Sequence, residues 1–141
     1  MNSPTFESLR VWHDARQLVC AIYSHTKQNG FASDFSFKDQ IRRAALSAMS
    51  NIAEGHERGG TREFLHFLTI AKGSCGEVRS QLYAAEDIGY IDPKDGAALR
   101  GMAAEVARKI QALADARKDQ EASPLGRRAN AGKPTKRRQA S

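Results

Sequence analysis

Cysteine and proline are scarce in this chain of 141 residues, which has two of the first and four of the second, beside a single tryptophan. Two cysteines, Cys20 and Cys75, cannot build a disulfide framework and point to a reducing compartment. No apolar run approaches the roughly 18 residues of a membrane span. The opening Met1-Asn2-Ser3-Pro4-Thr5-Phe6-Glu7 lacks the basic and apolar regions of a secretory signal, which argues for a cytoplasmic protein. What remains is 40% hydrophobic and 27% charged, the balance of an ordinary globular domain. A single domain of this length buries roughly two-thirds of its unfolded surface and needs no staple.

Acid is missing from one stretch. Residues 123–141 carry Arg127, Arg128, Lys133, Lys136, Arg137 and Arg138 with no Asp or Glu, and they account for the whole net charge of +6. The body, residues 1–122, is formally neutral. The tail holds one large apolar residue, Leu125, so it cannot offset its ordering entropy and is expected to be disordered. Its six cations are candidate nucleic-acid contacts; the alternative is that they only solubilise.

Strand-like alternation is absent, and four helical patterns stand in its place. The first runs from Leu9 to Gln28 with Trp12, Ala15, Leu18, Val19, Ile22 and Tyr23 on one face, and Asn29-Gly30 stops it. The second starts near Ser36 as N-cap, carries a narrow stripe of Ile41, Ala44, Ala45, Ala48 and Ile52, and ends at Gly55 and Gly59-Gly60. The third runs from Thr61 to Ile88, where Gly89 closes it. The fourth opens on Asp92-Pro93 and frays after Lys118. Short connections predict an all-α, antiparallel up-down-up-down four-helix bundle over residues 1–122.

Gln40, Arg43, Ser47, Asn51 and Glu54 step 3, 4, 4 and 3, and so share one face beside the small-residue stripe. Such a row must be hydrogen-bonded or wet. It reads either as a contact row for a ligand or nucleic acid, or as a polar network between helices or subunits; the second is the commoner use. Gly73-Ser74-Cys75-Gly76 lies mid-helix, where each glycine costs about 1 kcal/mol relative to alanine, and a close approach to Ala44, Ala45 and Ala48 would explain it. Phe64, Leu65, Phe67, Leu68 and Ile70 fall within seven residues, more than one core stripe needs, which predicts burial against another subunit.

The chemistry of catalysis is poorly represented. A di-iron bundle needs two Glu-x-x-His motifs; Glu63-Phe64-Leu65-His66 is the one present, and His13, His25 and His56 are not spaced to help. Cys20 and Cys75 are both read onto apolar faces, where a thiol stays protonated. Glu54-Gly55-His56-Glu57-Arg58-Gly59-Gly60 contains acids and is no phosphate loop. No catalytic residue, cofactor, metal or small-molecule substrate is expected.

The run Gln40–Gly55 resembles the four helix bundle proteins of the 23S rRNA intervening-sequence family. So do Leu9-Arg10-Val11-Trp12 with Ile22-Tyr23 and Thr26, the stretch Glu63–Ser74, and Leu82 through Gly89-Tyr90-Ile91. The resemblance covers residues 6–118. It departs at Gly30–Phe35, which lacks an expected proline, and at the basic tail. It implies a left-handed bundle that assembles into a homopentamer without enzyme activity. A related group of bundles serves as accessory subunits of retroelements and contacts reverse transcriptase and nucleic acid, so nucleic acid enters here by analogy.

Overall fold

The structure, a computed structural model, describes residues 5–122; the basic tail and its six cations lie outside them. After a 3-10 turn at Phe6–Ser8 come α1 (Arg10–His25), α2 (Asn29–Ser33), α3 (Phe35–Glu57), α4 (Thr61–Ile88) and α5 (Pro93–Ala122). No strand occurs among the described residues. Four long helices carry the core. α4 packs on α3 and on α5, and α1 completes the arrangement by touching α3 and α5.

The buried stripes follow from helical spacing. α1 buries Val11, Ala15, Leu18 and Ile22; α4 buries Phe64, Leu68, Ala71, Cys75, Val78, Leu82 and Ala85. α3 buries Ile41, Ala44, Ala45, Ala48, Ile52 and Gly55, small enough to bring α4 close. Gly55 is therefore inside α3, not at its end. A Cβ there would lie 2.6 Å from Phe67 Cβ, so only glycine admits α4 at this height.

The first connection is the main departure from the expected fold. α1 ends at His25, where the Thr26 hydroxyl donates to Ile22 O at 2.8 Å. Asn29, at φ 53°, then opens the short α2 rather than merely stopping α1. Phe31 anchors α2 with no exposure at all. Asp34, not Ser36, caps α3: its Oδ1 accepts from Phe37 N at 3.1 Å and its Oδ2 from Tyr90 Oη at 2.9 Å. The bond to Asp34 holds the Tyr90 phenol above its ordinary pKa, with desolvation adding. A carboxylate that both caps a helix and receives a phenol from beyond α4 ties the ends of three elements together.

α4 closes as expected at Gly89, whose φ of 88° is a left-handed stop. α5 starts at Pro93 with Asp92 Oδ1 accepting from Lys94 N at 3.1 Å. It continues to Ala122, past the expected end at Lys118.

Candidate functional site

The polar row of α3 separates into three parts. Asn51 Nδ2 donates to Ser47 O at 2.8 Å and to Ser47 Oγ at 3.0 Å. Ser47 Oγ and Ser74 Oγ are 2.8 Å apart, and Ser74 Oγ reaches Ile70 O at 3.1 Å. A carbonyl only accepts. Ser74 therefore gives its proton to Ile70 O, Ser47 must donate to Ser74, and Asn51 feeds Ser47: one directed chain from α3 into α4. Ser74 is buried and lines one groove with Ala44, which with Ala45 and Ala48 belongs to the core.

Gln40 and Arg43 continue the row outward. With Ser47 from α3 and Ser74, Glu77 and Gln81 from α4 they line a groove of about 380 Å³. Arg43 pairs along its own helix with Asp39 at 3.5 Å. Gln81 Oε1 is buried and has no hydrogen-bond partner among the described residues. Glu54 stands apart, exposed and paired with Arg58 at 3.0 Å. Ser74, Glu77 and Gln81 were not marked by their types; their signal was the 3 and 4 spacing along the margin of the α4 stripe.

Two readings of α4 and α1 need correction. Gly73 and Gly76 do not face α3: both are exposed, and a Cβ at either meets nothing within 4 Å. Helical geometry explains this, because Ser74 and Cys75 occupy the inward directions between them. Cys20 is exposed, since two residues beyond the buried Leu18 is about 200° around the helix. Cys75 is buried, and desolvation pushes its thiol up to about 11.

Of the five apolar residues clustered at the start of α4, Phe64 and Leu68 are buried, Leu65 and Phe67 half-buried, and Ile70 is 39% exposed. The intramolecular core thus takes more of the cluster than the count alone suggested.

The histidines sit apart. His13 Nε2 donates to Glu7 O at 2.6 Å, His25 Nδ1 to Ala21 O at 3.0 Å, and the His56 ring meets Phe64 edge-on. Among the described residues no group of three or more His, Cys, Asp or Glu is placed to hold a metal ion. No helix among them is long and apolar enough to cross a membrane.

A family model described as 23S rRNA-intervening sequence protein matches residues 7–112. Among solved structures, a protein of unknown function from the S23 ribosomal protein family of Bacteroides thetaiotaomicron is similar to this chain. It shares 19% identity and a TM-score of 0.68, over 74% of this chain and 97% of that one. At that identity the likeness is one of fold. No curated protein matches the sequence.

Proposed function

Because the chain belongs to the 23S rRNA-intervening sequence protein family, we propose that it is a non-enzymatic scaffold that assembles with copies of itself. Its fold on this reading is an antiparallel up-down-up-down four-helix bundle. Contacts that pair rising with falling residue numbers support it: Ser47 with Ser74 and Gly55 with Phe67 between α3 and α4, Lys72 with Gln111 and Glu86 with Arg100 between α4 and α5.

The observation that carries the assembly is the edge of α4 beside the α3 groove. Ile70 and Ile88 are 39% and 54% exposed. They stand about five turns apart and therefore on one line, with Ser74, Glu77 and Gln81 between them. An exposed apolar residue at each end of a polar groove that holds an unpaired buried acceptor is the anatomy of a subunit contact. Gln40, Arg43, Ser47 and Asn51 border the same edge and belong to this contact as polar network or interface, while Glu54 pairs with Arg58 beyond the groove. Five subunits is the number the family resemblance implies.

Light scattering at micromolar concentration tests the reading. The expected particle is about five times the 15.5 kDa chain, and Ile70→Asp with Ile88→Asp is expected to return it to single chains. A parent protein that scatters as a monomer overturns the proposal. A second reading rests on the tail, whose six cations and lack of acid favour weak, salt-sensitive, sequence-indifferent binding of nucleic acid through Arg127, Arg128, Lys133, Lys136, Arg137 and Arg138.

A further inference from the structure

The groove between α4 and α5 lies on the other side of α4 from Ser74. Leu65, Leu68, Ile110 and Ala114 floor a slot of about 140 Å³ there, and Lys72 and Lys118 stand on its rim. Lys72 Nζ donates to Gln111 Oε1 at 2.7 Å. Neither lysine makes a salt bridge among the described residues. Seven residues beyond Lys72, two turns along the same side of α4, Arg79 is exposed and also outside any salt bridge. Four residues further, Tyr83 is 55% exposed, with the Arg100 guanidinium 4.1 Å from its ring centroid. Of the carboxylates bordering this line, Glu86 is paired with Arg100, Asp115 accepts from Gln111 Nε2 at 2.9 Å, and Asp87 and Asp119 are exposed.

We propose that this groove binds single-stranded nucleic acid, with Lys118, Lys72 and Arg79 along the phosphate backbone and Tyr83 as a stacking platform. Two cations without carboxylate partners, Lys72 and Arg79, follow one side of α4 over roughly 16 Å up to Tyr83, at about 1.5 Å per residue, and Lys118 of α5 lines the same slot as Lys72. A line of positive charge beside an exposed aromatic ring is the combination that holds unpaired bases, because the charge follows the backbone while the ring takes a base face. The apolar slot between the lysines adds a place where a second base escapes water. A duplex hides its bases and could use only the cations. A lipid surface needs apolar groups that protrude, whereas Leu68 and Ile110 are recessed and buried. This site is independent of the tail, which carries no aromatic residue, and of the α3 edge used for assembly.

The test is a fluorescence anisotropy titration of the full-length protein at low and high salt. The probes are a labelled uridine oligonucleotide and a labelled duplex of the same length; vesicles of phosphatidylglycerol serve as a separate arm. The single strand is expected to bind more tightly than the duplex. Lys72→Glu with Lys118→Glu is expected to weaken it at least about tenfold, and the salt slope to fall by about 1.4, from roughly 0.7 per phosphate contact. Tyr83→Ala is expected to weaken it about five- to tenfold with the slope unchanged. Arg10→Glu, on an exposed turn of α1, and replacement of the six tail cations by Gln are both expected to keep the preference for the single strand. Circular dichroism checks folding. If the double reversal fails to fold, Lys72→Gln and Lys118→Gln take its place, with a smaller loss in the same direction. Groove variants that bind like the parent overturn the proposal. So does loss of all binding on neutralising the tail alone, or binding to vesicles without binding to the oligonucleotide.

Discussion

At the scale of single residues, the two cysteines show how far residue type carries. The sequence puts both on apolar helix faces, and one of them is exposed, because residue type says nothing about which side of a helix a position occupies. Cys75 is without exposure and its thiol is pushed up to about 11 by burial. It therefore stays protonated through neutral pH. A thiol reagent is expected to label one cysteine, Cys20, in the native protein and two after denaturation. The same shift has a sign for stability. A raised folded-state pKa favours the folded state below the ordinary value of 9.0, and that contribution is lost as pH rises from there toward 11. The polar row divides in the same way. Asn51→Leu cuts the chain that runs through Ser47 to the buried Ser74 and is expected to cost about 1–3 kcal/mol in a denaturant melt. Glu54→Leu removes an exposed pair within one helix and is expected to cost under about 0.5 kcal/mol. The sequence marked both residues by one spacing; only the position of α4 separates them.

At the scale of elements, α4 was legible nearly to the residue because a strong apolar period and a left-handed glycine bound it. The stretch between α1 and α3 was not. α2 has five residues, too few for a period, and its evidence is tertiary: Phe31 in the core and Asp34 under Tyr90, 56 residues further along the chain. Glycine misled in two directions. Gly55 looked like a terminator and is a contact, while Gly73 and Gly76 looked like contacts and face outward. A glycine in a sequence states that a side chain is missing, not which neighbour the space serves. Gly55→Ala puts its Cβ 2.6 Å from Phe67 Cβ on the opposing helix. That carbon sits at the root of its side chain and cannot swing away, so α3 and α4 must part. We expect a loss of about 1–3 kcal/mol in thermal or denaturant unfolding, with helical content unchanged. Native stability in Gly55→Ala would mean that the two helices slide past each other freely at this height.

At the scale of the whole molecule, Gly73 and Gly76 pose the sharper question. In a single chain they weaken α4 by about 1 kcal/mol each relative to alanine, and no contact among the described residues offsets it. Gly73, three residues on, adjoins Ile70 on the outward side of α4, the edge from which assembly is argued, whereas Gly76 lies about 120° around the helix from Ile70, toward Lys72 and Tyr83. If that edge meets a second copy, the missing side chain at Gly73 lets another helix come near, and alanine there holds it off. Gly73→Ala is therefore expected to move two observables in opposite directions, and Gly76→Ala the first of them alone. Dilute protein, measured as single chains, is expected to unfold at higher temperature, by the ordinary gain in helix propensity. Concentrated protein is expected to assemble less, seen as a lower mass in light scattering at equal concentration. A Gly73→Ala protein that is more stable and assembles like the parent would place Gly73 in solvent in every state and confine the subunit contact to Ile70, Ile88 and the polar groove between them.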